Sequence, residues 1–532
     1  MAENPRFFRL WQAAAIVFFI CFLVMTGLFI WATEDRRDEI ANCKPSVKSD
    51  KEETKLKDIV CPRQPPLLDL PDPLPNDVVQ ALEKLDSHLK SLVNPTSQTP
   101  AISANVFYKG KVMWSEQYGS KQAQKSDTPD NDTIYRIGSV TKIFPVLLLF
   151  KLFEQGVISS VDDPLNKYVP DFSIKNPFSK DNITLRQLAN QLSGLPREPP
   201  CKIMCAGTNT SEQLALLQDK TLVVEPGTYP SYSNLAYILL GRLLTERLLN
   251  TTFETWTTEN ILQPLGMLNT GFGTPNSSNM APVPMFPMDL GWFVPAGDMY
   301  STVADLTKLG YMFAQPGKQN IFKEQTIRQI LQPDYITRGG DYLWGAPWEM
   351  RFMDGFLIAG KAGGNTAFTS MVPALELGMN ILMSVSPGTS FLPAVDAAYL
   401  AYSVLLPTLN KTLFALQAKV KSFPIDPTPF LGKFQGTSLD PTKGVTHSLT
   451  YTITVDKGYL LAIDPAKPDQ DLTLSYIGEP LILRSRPAFQ EGSCLIEHIG
   501  LEYGVYFSPP DSDGLSQGFT STWMTFVRVE DS

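Results

Sequence analysis

The stretch Arg136-Ile137-Gly138-Ser139-Val140-Thr141-Lys142-Ile143-Phe144 (RIGSVTKIF) sets a serine three residues before a lysine, just ahead of the apolar run PVLLLFKLF. On a helix, residues three apart share a face, so a helix opened by Ser139 would bring hydroxyl and amine together. The spacing alone says little, because a chain of 532 residues holds about two S-x-x-K matches by chance. It holds two. The other pairs Ser87 with Lys90, in a segment whose apolar residues Val78, Leu82, Leu85, Leu89 and Leu92 step by four and three. That is the period of an amphipathic helix, and the second pair reads as its solvated face. Whatever distinguishes Ser139 stands elsewhere in the chain.

A serine nucleophile needs a neighbour to take its proton, and histidine is the usual one. The three histidines, His88, His447 and His498, are scattered, and there is no G-x-S-x-G or H-E-x-x-H motif. A lysine or tyrosine does the same work when burial and a second cation lower its pKa. Two later stretches supply such groups. In PGTYPSYSNLAYILLG, extended alternation through Tyr232-Ser233-Asn234 would send Tyr232 and Asn234 to one side, although a buried tyrosine and a turn asparagine would read the same. In IAGKAGGNTAF, Lys361-Ala362-Gly363-Gly364 offers a cation beside backbone without side chains, or simply a glycine-rich bend.

With DTIYRIGSVTK, DDPLNKYVPDF, ITLRQLANQLSGLP and PAGDMYSTVADL in order around these motifs, residues 76 to 420 resemble the serine β-lactamase and penicillin-binding-protein superfamily. Within it the chain resembles the class C β-lactamase and DD-peptidase branch, and it is similar to the vertebrate membrane-anchored β-lactamase-like proteins. The resemblance implies a serine hydrolase that uses no cofactor. In it Ser139 is the acylated nucleophile, Lys142 its proton partner, Tyr232 the general base and then acid, and Lys361 the cation that keeps the site electropositive. Asn234 would orient a substrate amide or ester, Gly363 would leave backbone that a substrate can approach closely, and the N–H groups of Ser139 and Gly364 would form an oxyanion hole. The substrate would be a small amide, peptide or ester. Three departures stand out. Ala362 lacks the hydroxyl that helps K-T-G relatives bind a substrate carboxylate, Gln191 replaces a frequent histidine, and Pro145 removes a backbone donor early in the helix. The competing expectation is a catalytically inactive ectodomain that serves as a binding or scaffolding module.

The rest of the chain sets the context. A 43% hydrophobic, 19% charged composition supports a folded core, and a net charge of -9 without basic clusters excludes nucleic acid as a partner. Residues 11–31 carry no charge and suffice to cross a bilayer core of ~30 Å, longer than a signal peptide's apolar core. With Arg6 and Arg9 before them, they read as an anchor with residues 1–10 cytoplasmic and the remainder luminal or extracellular. The sequons at Asn131, Asn182, Asn209, Asn250, Asn276 and Asn410 all follow that segment. So do five of the six cysteines, with Cys43–Cys61 and Cys201–Cys205 as candidate disulfides and Cys494 odd. The proline-rich residues 32–75 read as a stalk. Residues 76–421 read as an α+β domain, an antiparallel sheet flanked by helices, and residues 422–532 as a small all-β domain of short alternating runs.

Overall fold

The computed structural model describes residues 65, 67–93, 99–122, 127–202, 205–282, 289–385, 392–419, 426–440, 445–456, 459–466, 471–476, 481–487, 503–521 and 524–530. The expected span at 11–31 lies outside them, as do Cys43, Cys61 and Cys494. Among the described residues no helix is long and apolar enough to cross a membrane.

A hairpin at Lys109-Gly110-Lys111 joins strand β1 (Ala101–Tyr108) to β2 (Lys111–Gly119), and it turns through positive φ at both Lys109 and Gly110. Six later strands complete the sheet: β3 (Pro333–Ile336), β4 (Tyr342–Gly345), β5 (Glu349–Met353), β6 (Phe356–Gly363), β7 (Ala367–Val372) and β8 (Leu377–Ser384). Their order is β2-β1-β8-β7-β6-β5-β4-β3, antiparallel throughout. β1 therefore closes on β8, with Ala101 opposite Ser384 and Tyr108 opposite Leu377.

Both faces of this sheet are covered, which is why β1 and β8 are buried at every position. Ile102, Ala104 and Val106 meet one face's cover, the amphipathic helix α1 (Asn76–Leu92) and the long helix α5 (Pro393–Lys419). Ser87 and Lys90 lie exposed on α1, as their spacing indicated. On the other face stand α2 (Ile143–Glu154), α3 (Asn234–Leu244) and α4 (Val303–Ala314). Helix α2 is apolar all round because it is wrapped on all sides, with only Lys151, Phe153 and Glu154 partly exposed. Asn105 of β1 and Asn380 of β8 are bonded to each other and to Thr307 of α4, which satisfies the polar groups buried at this seam.

Two expectations are revised. The last residues read as stalk lie along the sheet domain: Leu68, Leu70 and Leu74 pack on its core, and Tyr108 OH donates to Leu68 O at 2.6 Å. Ser139 does not open an α-helix; Gly138–Lys142 is a 3₁₀ turn and α2 begins at Ile143. Pro145 then falls in the first turn of α2, where backbone donors have no intrahelical partner.

Beyond residue 430 eight strands form a closed antiparallel barrel, the first, Gly432–Asp440, pairing with the last, Thr525–Val529. Closure leaves no free edge. Phe430, Phe434, Phe507, Phe519 and Phe526 fill its centre.

Candidate active site

Ser139 sits in the 3₁₀ turn between the buried strand Tyr135–Arg136 and α2. Gly138 adopts φ +48°, and its backbone lies against that of Gly363 on β6. A Cβ on Gly363 would fall 1.9 Å from Ile137 O, so only glycine allows this approach. β5 pairs with β6 only as far as Glu349 opposite Gly360. The end of β6, from Lys361 to Gly363, is thus paired on one side alone, to β7.

Lys142 is fully buried, and its Nζ meets three acceptors: Ser139 Oγ at 3.0 Å, Asn234 Oδ1 at 2.7 Å and Ala296 O at 2.6 Å. Burial drives its pKa down, Lys361 adds to the fall and Tyr232 opposes it; the value drops from 10.5 to about 8. Tyr232 OH lies 2.7 Å from the same Ser139 Oγ. Burial alone would raise that phenol, but the charges of Lys361 and Lys142 outweigh it and hold the pKa below its ordinary value. The Lys142 and Lys361 ammonium groups stand 5.0 and 5.3 Å from the Tyr232 ring centre. Lys361 is itself buried, which pulls its amine down, but the charge of Glu349 and then that of Tyr232 overcome this and keep it protonated.

The structure therefore brings Ser139, Lys142, Tyr232 and Asn234 into one hydrogen-bonded cluster, with Lys361 beside it and Gly363 behind it. Gly364, at φ +59°, starts the turn from β6 to β7. Tyr232 and Asn234 do converge across extended backbone at Ser233, φ -130° and ψ 117°: Tyr232 precedes the helix, Ser233 caps it by accepting from Ala236 N, and Asn234 is its first residue. The amide of Asn234 is committed at both ends. Its oxygen faces Lys142, while Nδ2 lies 2.9 Å from each carboxylate oxygen of Glu198.

Four contributors escaped the reading of the sequence. Glu349 ion-pairs with Lys361 and accepts from Ala362 N at 3.2 Å. Glu198 holds Asn234, and Ala296 O holds Lys142. Gln191, noted only as a departure, accepts Ser233 N at 2.6 Å and Ser231 N at 2.8 Å, so it shapes the loop that presents Tyr232. Only Gln191 and Ala296 stood inside quoted motifs.

Residues 80–402 match the family model described as Beta-lactamase. The chain belongs to the β-lactamase family. Among relatives, the human protein named beta-lactamase-like 1 is 37% identical over 376 residues, covering 66% of this chain and 74% of its own. Beta-lactamase-like protein 4 of Dictyostelium discoideum is 32% identical, covering 66% and 67%. In fold, this β-lactamase-family chain is similar to a β-lactamase/D-alanine carboxypeptidase from Yersinia pestis, with TM-score 0.53, 24% identity and coverage of 62% of this chain and 98% of the other. It is also similar to the octameric penicillin-binding protein homologue of Pyrococcus abyssi, with TM-score 0.51, 20% identity and coverage of 85% and 100%.

Five of the six sequon asparagines are exposed; Asn410 is half-buried on α5, with its amide oxygen enclosed. Cys201 and Cys205 form a disulfide, Cα–Cα 5.2 Å.

Proposed function

We propose that this chain is a membrane-anchored serine hydrolase that opens a small ester, amide or peptide through an acyl-enzyme on Ser139. The observation that carries the reading is the double contact of Ser139 Oγ, with a buried lysine at 3.0 Å and a buried tyrosine at 2.7 Å. Both partners have pKa values held below their ordinary ones, the condition for a base near neutral pH. Tyr232 and Lys142 take the hydroxyl proton as Oγ bonds to the substrate carbonyl carbon. The Ser139 and Gly364 N–H groups stabilise the oxyanion, Tyr232 returns the proton to the leaving group, and water repeats the sequence to release the acid.

Charge narrows the substrate. The Lys361 ammonium is already paired with Glu349, and Ala362 offers no hydroxyl, so a substrate carboxylate gains little here and loses its hydration. Uncharged acyl substrates fit better. The same features suit the second reading, an inactive binding module, and turnover separates the two. With cell-expressed full-length protein, a neutral ester is expected to show a kcat/KM about tenfold or more above that of a matched ester bearing a carboxylate, one charge-assisted hydrogen bond's worth. Ser139→Ala and Lys142→Ala are each expected to abolish turnover. No hydrolysis of either ester by folded wild type sinks the enzyme reading. Glycosidase treatment of the same preparation is expected to raise its gel mobility; unchanged mobility counts against a luminal domain.

A further inference from the structure

We propose that Glu198 is a positioning residue for the proton relay, fixing the Asn234 amide so that its oxygen, and not its nitrogen, faces Lys142. This rests on the serine-hydrolase reading of Ser139 and assigns a role to a residue that no motif marks.

A carboxylate only accepts hydrogen bonds, so the Nδ2 end of Asn234 must face Glu198, whose oxygens both lie at 2.9 Å. That leaves Oδ1 aimed at Lys142 Nζ, 2.7 Å away. The reversed amide would set two N–H groups against an ammonium. The backbone reinforces the arrangement, because Asn234 N donates to Arg197 O at 2.7 Å and ties the Glu198 segment to the start of α3.

The consequence falls on Ser139. Of the three groups around Lys142 Nζ, Asn234 Oδ1 and Ala296 O can only accept, whereas the Ser139 hydroxyl can donate or accept. When Lys142 is neutral it has two protons. Both are claimed by the two fixed acceptors, so its lone pair points at the Ser139 O–H. An Asn234 free to turn would let the lone pair face the amide N–H instead, and Ser139 would lose Lys142 as a proton acceptor. Glu198 reaches Lys142 only through Asn234. The other charged or titratable groups around that amine are Tyr232 and Tyr237, whose ring centres lie at 5.0 and 5.5 Å, and Lys361 with its partner Glu349. Arg197 lies over the Tyr232 ring, 5.0 Å from its centre, and pairs with Glu198 at 3.3 Å.

The test measures the rate of Ser139 acylation by a fluorophosphonate probe from pH 6 to 10, on the full-length chain and its Glu198→Ala and Glu198→Gln variants. Glu198→Ala is expected to lower the plateau rate at least tenfold and to move the acid limb to lower pH, since the ammonium loses a fixed acceptor. Glu198→Gln keeps an accepting oxygen and with it the Asn234 orientation; its plateau is expected within about threefold of wild type, with the limb close to the wild-type position. A purely structural role would move neither limb. Wild-type plateau and limb in Glu198→Ala overturn the proposal; if that variant does not fold, wild-type plateau and limb in Glu198→Leu, which likewise removes the accepting oxygens, do so. A wild type that never reacts defeats the hydrolase reading and this inference with it, a result distinct from reactive protein indifferent to Glu198.

Discussion

Lys142 is fully buried with three acceptors around its amine, and this fixes what Ser139 experiences. Its pKa of about 8 gives the pH dependence a sign. In the proposed mechanism the competent form is the one in which Lys142 and Tyr232 together hold one proton fewer, and its share grows as pH rises. Acylation by wild type is therefore expected to climb about tenfold per unit below pH 8 and to level off above it, with the limb reporting the pair rather than either residue. Stopped-flow acylation between pH 6 and 9 checks this; a rate independent of pH across that range contradicts it. Ser139, Lys142, Tyr232 and Lys361 were legible because each sits in a short motif with local spacing. Glu198 and Glu349 were not, because what gives them meaning is a partner 36 residues away for one and 12 for the other, reached by folding alone.

Among elements, the junction between β6 and the 3₁₀ turn decides whether the residues above have a site. Two glycine backbones, Gly138 and Gly363, lie against each other there. Because a Cβ on Gly363 would sit 1.9 Å from Ile137 O, Gly363→Ala must push β6 off the turn that carries Ser139. We expect about 1–3 kcal/mol of lost stability by chemical denaturation. Acylation is expected to fall about 100-fold, since a displacement near 1 Å at a reacting centre costs that much. A Gly363→Ala protein with wild-type acylation would show that the contact is dispensable. Periodicity found α1, whose pattern is local. It missed the 3₁₀ turn because that turn depends on the positive φ of Gly138, imposed by β6 packing behind it.

For the molecule as a whole, the sheet is completed by its chain ends: β1 pairs with β8, and Asn105 meets Asn380 across 275 residues. An antiparallel sheet flanked by helices was legible from strands at both ends of the domain. The pairing that joins them is a long-range contact to which no local pattern points. The same holds for the C-terminal unit, where alternating runs disclosed strands while closure depended on the first and last finding each other. The site lies at the place these distant pieces converge, with Ser139 and Lys142 from the 3₁₀ turn, Tyr232 and Asn234 from the start of α3, Lys361 from β6 and Ala296 from the segment before α4. The most direct test of this account is intact-mass and peptide-mapping analysis of the full-length protein after fluorophosphonate treatment. The account predicts one adduct, on the peptide containing Ser139, absent in Ser139→Ala and formed at least about 100-fold more slowly in Lys142→Ala. No adduct on folded wild type, or one that persists in Ser139→Ala, would contradict it.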